Sequence, residues 1–306
     1  MRLAVILIPA LLRAQFSAPT PPDCANYSVA TLTDGTFACE RYAAFPWFAA
    51  GQGWSTQVSM LTAPVSGQQR GVQFQIGLGQ GASVKAVYGG LAGTYGNFTF
   101  AQPPVLAGSS ARLDILSAAF AAPDLAYGPL WVQLDAPDVQ TLEAANLQLI
   151  FLFADSTGKY NTQLAVPPIF NDQATSTWIA SFSETPTDKK ASSPNSNDCS
   201  FAVANLSAQP QSVTVSLYNQ SGALIAQKTT PILTAGVPGG VYGTDFGTFF
   251  GLTSSALTSP TGTIDGTVQF ASSAGLPIAP LVIRLAGNSI STFEVTPLRP
   301  FIPPVE

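Results

Sequence analysis

Short segments in which apolar and polar residues alternate recur along the chain, and this pattern constrains the fold more than any other feature. Residues 72–77 read Val-Gln-Phe-Gln-Ile-Gly, and residues 213–218 read Val-Thr-Val-Ser-Leu-Tyr. A period of two places successive side chains on opposite faces of a β-strand. Helical periodicity is nearly absent, and only residues 245–252 suggest one short helical turn. The sequence therefore predicts an all-β protein.

Turn residues and composition agree with many short strands. Turn signals separate the strand candidates at residues 33–35, 155–158, 219–222 and 237–240. Only 9% of the residues are charged, 46% are hydrophobic, and there are 26 glycines and 25 prolines. This balance is typical of β-sandwich proteins. Because 306 residues exceed what one sandwich usually needs, we predict two.

The two halves of the chain carry the same order of segments. Each opens with aromatic residues and alternating strands, and later has a Val-Gln strand followed by a very apolar strand. The matching segments are residues 45–48 and 178–182, 72–76 and 213–217, 131–134 and 267–270, and 147–153 and 281–285. This order indicates one structural plan used twice.

The same patterns divide the chain into predicted parts. Residues 41–168 form a first β-sandwich module and residues 176–297 a second, joined by a linker at residues 167–176. Residues 15–40 precede the first module as an N-terminal segment. Residues 298–306 form a proline-rich tail that we expect to be extended.

Two stretches carry a resemblance to a known group of proteins. The first is Phe45-Pro46-Trp47-Phe48 followed by Gly51-Gln-Gly53-Trp54-Ser-Thr56, and the second is residues 201–222, with an Asn-turn-Pro unit and an Asn-x-x-Gly hairpin. In these the chain resembles uncharacterised secreted bacterial proteins with tandem Ig-like β-sandwich modules. Residues 62–64, Thr-Ala-Pro, depart from the pattern by replacing the Asn turn. The resemblance implies an Ig-like fold and export, and it supplies no catalytic residue.

The first residues read as a signal peptide. Arg2 supplies a positive charge, residues 3–12 are apolar apart from Pro9, and Ala14 suits the last position before cleavage. The run is too short to span a bilayer, which needs about 20 apolar residues. We therefore predict a signal peptide at residues 1–14, no membrane insertion, and an exported protein located outside the cell or in the periplasm.

Three cysteines fit that location. We expect Cys24 and Cys39 to form a disulfide, which an exported protein permits and which would restrict the unfolded chain by about 3 kcal/mol. Cys199 lies in the alternating run 199–203 and is predicted to be a small buried hydrophobe.

The composition excludes several kinds of chemistry. The chain has no histidine, which removes Ser-His-Asp and Cys-His catalysis and histidine-ligated metals. The glycines of residues 77–81 precede no helix, so they predict a loop and not a dinucleotide site. A net charge of −5 without a basic cluster argues against nucleic acid as a partner. We predict no cofactor and no metal site.

The acidic residues leave two kinds of site open, a catalytic pair of carboxylates and a calcium site. Asp135 with Asp138, and Glu184 with Asp188, are close in sequence and would suit a glycoside hydrolase that needs two acids. Residues 195–198 and 155–161 cluster oxygen-bearing side chains that calcium prefers. Both sets are more typical of turn-capping and Asx-turn residues.

Aromatic residues supply the candidate binding surfaces. Trp47 and Trp54, beside Phe45 and Phe48, could stack against a sugar ring, and Tyr242 and Phe246 lie in a second aromatic, glycine-rich stretch. Such residues also commonly fill a sandwich core, a module seam or a sheet end.

The sequence thus favours a non-catalytic secreted protein that acts in binding, adhesion or extracellular structure. A glycan or a cell-surface protein would be its partner. The alternatives are a carboxylate-based carbohydrate-active enzyme, or a subunit of a surface assembly joined through exposed strand edges.

Overall fold

The computed structural model describes residues 21–31, 35–50, 53–62, 73–78, 85–88, 91–94, 99–101, 110–115, 126–154, 160–190, 196–235, 240–256, 262–286 and 289–298. The predicted signal peptide and all but the first residue of the predicted tail lie outside these ranges. Antiparallel strands make up most of the described chain, as the all-β prediction required. No helix in these ranges is long and apolar enough to cross a membrane.

The N-terminal half contains two larger sheets and a hairpin. Its elements are β1 (Ser28–Thr31), β2 (Phe37–Ala50), β3 (Trp54–Thr62), β4 (Gln73–Leu78), β5 (Lys85–Tyr88), β6 (Leu91–Thr94), β7 (Thr99–Ala101), β8 (Ser110–Ile115), β9 (Ala126–Ala136), α1 (Val139–Glu143), β10 (Ala145–Ala154), β11 (Tyr160–Val166) and β12 (Ile169–Phe170). One sheet has the order β1-β2-β9-β4-β7, with β12 also paired to β2. The other has the order β11-β10-β3-β8, and β5 pairs with β6.

The C-terminal half contains two further sheets. Its elements are β13 (Thr177–Glu184), α2 (Thr187–Lys190), β14 (Asn197–Asn205), β15 (Val213–Asn219), β16 (Leu224–Thr229), β17 (Val241–Asp245), α3 (Phe246–Phe250), a 3₁₀ turn (Ser254–Ala256), β18 (Ile264–Ser272), β19 (Ile278–Ala286), β20 (Ser289–Phe293) and β21 (Val295–Pro297). The sheets have the orders β16-β15-β18-β13-β21 and β17-β14-β19-β20.

The order of strand pairing is the same in the two halves. The path β12-β2-β9-β4-β7 corresponds to β21-β13-β18-β15-β16, and β8-β3-β10-β11 corresponds to β17-β14-β19-β20. The segments that match in sequence lie on corresponding strands. The aromatic openings lie on β2 and β13, the Val-Gln strands are β9 and β18, and the apolar strands are β10 and β19.

Each half has a hydrophobic core between its two sheets. In the N-terminal half, Phe45, Leu130 and Leu134 of one sheet share a buried cluster with Val58 and Leu149 of the other. In the C-terminal half, side chains of β13, β15 and β18 share a second cluster with those of β14 and β19. Burial of these alternating apolar positions is the main favourable contribution to folding.

Strand β19 of the sheet β17-β14-β19-β20 is buried on both faces over residues 278–282. Phe201 and Val282 belong to the core of the C-terminal half, whereas Leu281 belongs to the core of the N-terminal half. Ile283 and Ile290 also pack against that first core. A strand covered on both faces needs no polar alternation, which explains why the sequence around residues 281–285 is so apolar.

Local motifs of the sequence are explained by turns and caps. The Asn219 side chain accepts the backbone N–H groups of Ser221 and Ala223, and so closes the β15–β16 hairpin. The short helix expected within residues 245–252 is confirmed as α3, which Asp245 caps by accepting the Thr248 N–H at 2.7 Å. The sequence did not predict α1 or α2. Part of the predicted linker is β12, which pairs with β2.

Candidate functional site

A β-bulge in β2 turns Trp47 away from the regular strand. The pairing of β2 with β9 shifts register between Phe45 and Phe48, where Pro46 and Trp47 intervene. Proline has no N–H for the sheet ladder, so it is tolerated at such an irregularity. Trp47 is half-buried and faces the C-terminal half, where a Cβ at Gly243 would lie 2.8 Å from its ring. Gly243 therefore makes room for this indole.

The start of β3, which lies in the other sheet of the N-terminal half from β2, positions Trp54. Gly53 has a φ of 89°, a left-handed conformation that glycine adopts without strain. Thr56 Oγ1 accepts the Ala49 N–H at 3.1 Å and donates to the Ala49 carbonyl at 2.7 Å, which ties the two strands together. The Gly-Trp-Ser-Thr sequence thus fixes the ring of Trp54, which meets Phe151 of β10 edge-on at 6.4 Å between centroids.

These aromatic residues form one wall of a cavity of about 430 Å³ between the two halves, which we call the seam pocket. The other wall comes from β14, β17, β19 and β20 of the C-terminal half. The lining residues of the seam pocket are Trp47, Ala49, Trp54, Phe151, Asp198, Ser200, Phe201, Ala202, Gly243, Thr244, Asp245, Ile283, Leu285 and Ile290. Its volume lies in the range of small-ligand sites, about 300–1,000 Å³.

Two carboxylates lie in the mainly apolar lining of the seam pocket. Asp198 is 38% exposed at its side chain and pairs with Lys190 at 2.8 Å. Asp245 caps α3 and is half-buried. With Ser200 and Thr244, they offer oxygen acceptors beside aromatic and aliphatic surface. An apolar cleft with a few convergent polar groups is the usual composition of a binding site.

The four aromatic residues singled out as binding candidates have different positions. Trp47 and Trp54 both line the seam pocket. Phe246 is fully buried in the core of the C-terminal half, where it stacks on Phe201 at 5.3 Å. Tyr242 is half-buried and packs against Phe201 at 6.1 Å. Tyr242 and Phe246 therefore lie in or against the core of the C-terminal half.

The carboxylates considered for catalysis lie outside the seam pocket. Asp135 is buried on β9 and accepts the Gln133 amide at 3.1 Å, and burial raises its pKa. Asp138 caps α1 by accepting the Thr141 N–H at 2.8 Å. Asp188 is exposed and accepts Ser254 Oγ and N–H, which lowers its pKa. The expectation that these acids cap turns fits Asp138 and Asp188 but not the buried Asp135.

Glu184 is also not on a solvated turn. It is fully buried at the end of β13, where its Oε2 accepts the Cys199 N–H at 2.6 Å and its Oε1 lies 2.8 Å from Lys190 Nζ. Burial raises the pKa of Glu184 to about 7, although Lys190 and the Cys199 N–H oppose the rise. Lys190 also contacts Asp198, so this cluster reaches the rim of the seam pocket.

The cysteines and the proposed calcium loops complete the comparison with the sequence. Cys24 and Cys39 form a disulfide with a Cα–Cα distance of 5.3 Å. Cys199 is buried, and burial raises the pKa of its thiol to about 12, so it is inert. Residues 155–159 lie outside the described ranges. No group of three metal-ligating side chains occurs among the residues that the structure describes.

Sequence reasoning missed most of the second wall of the seam pocket. Ser200, Thr244 and Ile290 lie on three strands that are distant in sequence, and alternation alone does not show which halves meet. A signal was present in residues 281–285, whose lack of polar alternation is typical of a strand covered on both faces. Comparison with protein-family models and with curated proteins found no match.

Proposed function

We propose that this is a non-catalytic exported binding protein, built from two Ig-like β-sandwich modules, that holds a glycan in the seam pocket. The repeated pairing order and the two separate cores support the division into modules at residues 41–168 and 176–297. The leader-like N-terminus and the Cys24–Cys39 disulfide support export.

The observation that carries the proposal is the meeting of Trp47 and Trp54 in one cavity. Flat aromatic faces suit the apolar face of a pyranose ring, and two indoles held by the bulge in β2 and by the hydrogen bonds between Thr56 and Ala49 are preorganised for stacking. The strands that hold them are rigid elements, so little side-chain entropy is lost on binding.

The polar residues that line the seam pocket favour a sugar as its ligand over a purely apolar molecule. Asp198, Asp245, Ser200 and Thr244 supply oxygen atoms that accept hydrogen bonds from sugar hydroxyls. A hydrocarbon ligand would displace water from these oxygen atoms without offering a hydrogen bond in its place.

The proposal is tested with a glycan array, followed by titration of the best oligosaccharide while tryptophan fluorescence is recorded. Trp54→Ala should weaken binding at least about tenfold, which corresponds to about 1.4 kcal/mol, the scale of one lost aromatic contact. Trp131→Ala is the matched control, because Trp131 is half-buried against Tyr42 and does not line the seam pocket.

Glycan binding that survives Trp54→Ala but is lost in Trp131→Ala would place the site elsewhere. If no glycan on the array binds the wild-type protein, the proposal that the seam pocket holds a glycan is wrong. Thermal unfolding of both variants shows whether a loss of binding reflects a loss of fold.

A further inference from the structure

One face of the sheet β17-β14-β19-β20 forms the floor of the seam pocket. Side chains two residues apart on a strand share a face, so Asp198, Ser200 and Ala202 of β14 lie along this floor. The register places Gly243 of β17 opposite Ala202, and it places Asp245 opposite Ser200. Both carboxylates of the seam pocket therefore lie on the two neighbouring strands β14 and β17.

The floor has an acidic part and an apolar part. On β19 and β20 the residues that line it are Ile283, Leu285 and Ile290. Asp198 and Asp245 are diagonal neighbours on an antiparallel pair, so their β-carbons lie about 7–8 Å apart. A ligand on this floor thus meets aliphatic surface on one side and two carboxylates on the other.

The indole of Trp47 lies beside the acidic part of the floor. Its ring is so close to Gly243 that a Cβ there would lie 2.8 Å from it. Asp245 follows on the same face of β17, about 7 Å further along the strand. A cation is attracted to the face of a tryptophan ring within about 6 Å of the ring centroid. A positive group between Trp47 and Asp245 can therefore contact an aromatic ring and a carboxylate together.

Asp245 keeps one oxygen for a ligand. Its Oδ1 accepts the Thr248 N–H, whereas its Oδ2 accepts no hydrogen bond from the residues that the structure describes. No lysine or arginine in the described ranges forms an ion pair with Asp245. Arg284 lies on the face of β19 opposite to that of Ile283, and its guanidinium is 5.8 Å from the centre of the Phe293 ring. The helix cap thus leaves the charge of Asp245 uncompensated.

Negative charge exceeds positive charge at the acidic part of the floor. The Nζ of Lys190 is 2.8 Å from both Glu184 and Asp198, so two carboxyl groups share one ammonium. Burial raises the pKa of Glu184 to about 7, so below neutral pH Lys190 compensates Asp198 alone. The charge of Asp245 remains in either case. A cationic ligand is therefore favoured over a neutral one of the same shape.

We propose that the seam pocket selects glycans that carry free amino groups, with a protonated amine held between Trp47 and Asp245. This inference rests on the proposed function, because a sugar ring must first stack in the pocket. A hydrogen bond with a charged partner is about twice as strong as a neutral one. An amino sugar therefore gains over the same sugar with a hydroxyl in that position. An acidic sugar would bring its own carboxylate against Asp245 and is rejected.

Titration with matched oligosaccharides, followed by tryptophan fluorescence at pH 6 and low salt, tests the preference. The probes are a glucosamine tetramer, its N-acetylated form and the glucose tetramer of the same linkage. The glucosamine tetramer should bind at least about tenfold more tightly than the other two, the scale of one charged hydrogen bond. The difference should shrink as salt is added, because salt screens the charges.

Asp245→Asn is the informative variant, because asparagine caps a helix about as well as aspartate and only the charge is lost. The variant should bind the glucosamine tetramer about tenfold more weakly and the glucose tetramer with unchanged affinity. Asp138→Asn is the matched control. Asp138 caps α1 by accepting the Thr141 N–H at 2.8 Å, and it lies outside the seam pocket. Both affinities should be unchanged in this control.

The outcomes separate this inference from the proposed function. If the glucose tetramer binds as tightly as the glucosamine tetramer, the preference for amino groups is wrong while the glycan site stands. A preference that persists in Asp245→Asn also overturns the inference. Tetralysine that binds as tightly as the glucosamine tetramer overturns it too, because the pocket would then take cations without a sugar. If no tetramer and no glycan on the array binds, the proposed function fails together with the inference.

Discussion

The buried carboxyl of Glu184 should make the stability of the C-terminal half fall as the pH rises. Glu184 is fully buried and has one cationic neighbour, Lys190, which also pairs with Asp198. The informative perturbation is Glu184→Gln, which keeps the shape and the acceptor for the Cys199 N–H but removes the titrating group. We expect the variant to lose most of the pH dependence.

The magnitude follows from the pKa of Glu184. In the unfolded chain this carboxyl ionises near 4.5, whereas in the folded protein it keeps its proton up to about pH 7. The pKa is raised on folding, so its stabilising contribution is complete below about pH 4.5 and is lost as the pH rises through 7. At about 1.4 kcal/mol per unit of pKa, the wild-type protein should lose about 3 kcal/mol of unfolding free energy.

Urea unfolding followed by circular dichroism at pH 5, 6, 7 and 8 measures this difference. Glu294→Gln is the control, because Glu294 is exposed and should leave the wild-type pH dependence unchanged.

Two results would contradict this reasoning. Equal pH dependence in wild type and Glu184→Gln would mean that Glu184 stays ionised in the folded protein. A wild-type stability that rises between pH 5 and 8 by more than the Gln variant would mean that Lys190 and the Cys199 N–H outweigh burial.

Two further predictions concern the seam and the N-terminus. Gly243→Ala should shift the Trp47 ring, because the new Cβ would lie 2.8 Å from it. The variant should show a changed near-ultraviolet circular dichroism spectrum and should lose about 1–3 kcal/mol of unfolding free energy in urea. An unchanged spectrum would mean that the Trp47 indole is mobile. Replacing Cys24 and Cys39 together by serine should lower the unfolding free energy by about 3 kcal/mol, since the bond closes a loop of 15 residues. A loss under about 1 kcal/mol would contradict the expected restriction of the unfolded chain by the disulfide.

The sequence predicted most reliably those strands and helices whose formation depends on a single local cause. Alternation in residues 213–218 predicts β15 because one face is buried and the other meets solvent or a neighbouring polar side chain. The helical turn α3 was also predicted, and the structure shows that Asp245 and Gly251 cap it.

Contacts between distant segments were not predictable in the same way. Nothing in the order of residues shows that Trp47 faces Gly243, or that Lys190 reaches both Glu184 and Asp198. Phe246 was considered for a surface role because it lies in a glycine-rich stretch, but α3 turns it into the core. These outcomes depend on how whole sheets pack, which local pattern does not encode.

The strand order shared by the two halves places the outward faces of corresponding strands in different surroundings. On β10 the outward residues Gln148 and Ile150 are exposed or half-exposed, whereas the corresponding strand β19 carries Leu281 and Ile283 against the first core. The same position in the pairing order is therefore polar where its strand faces outward and apolar where the other half covers it.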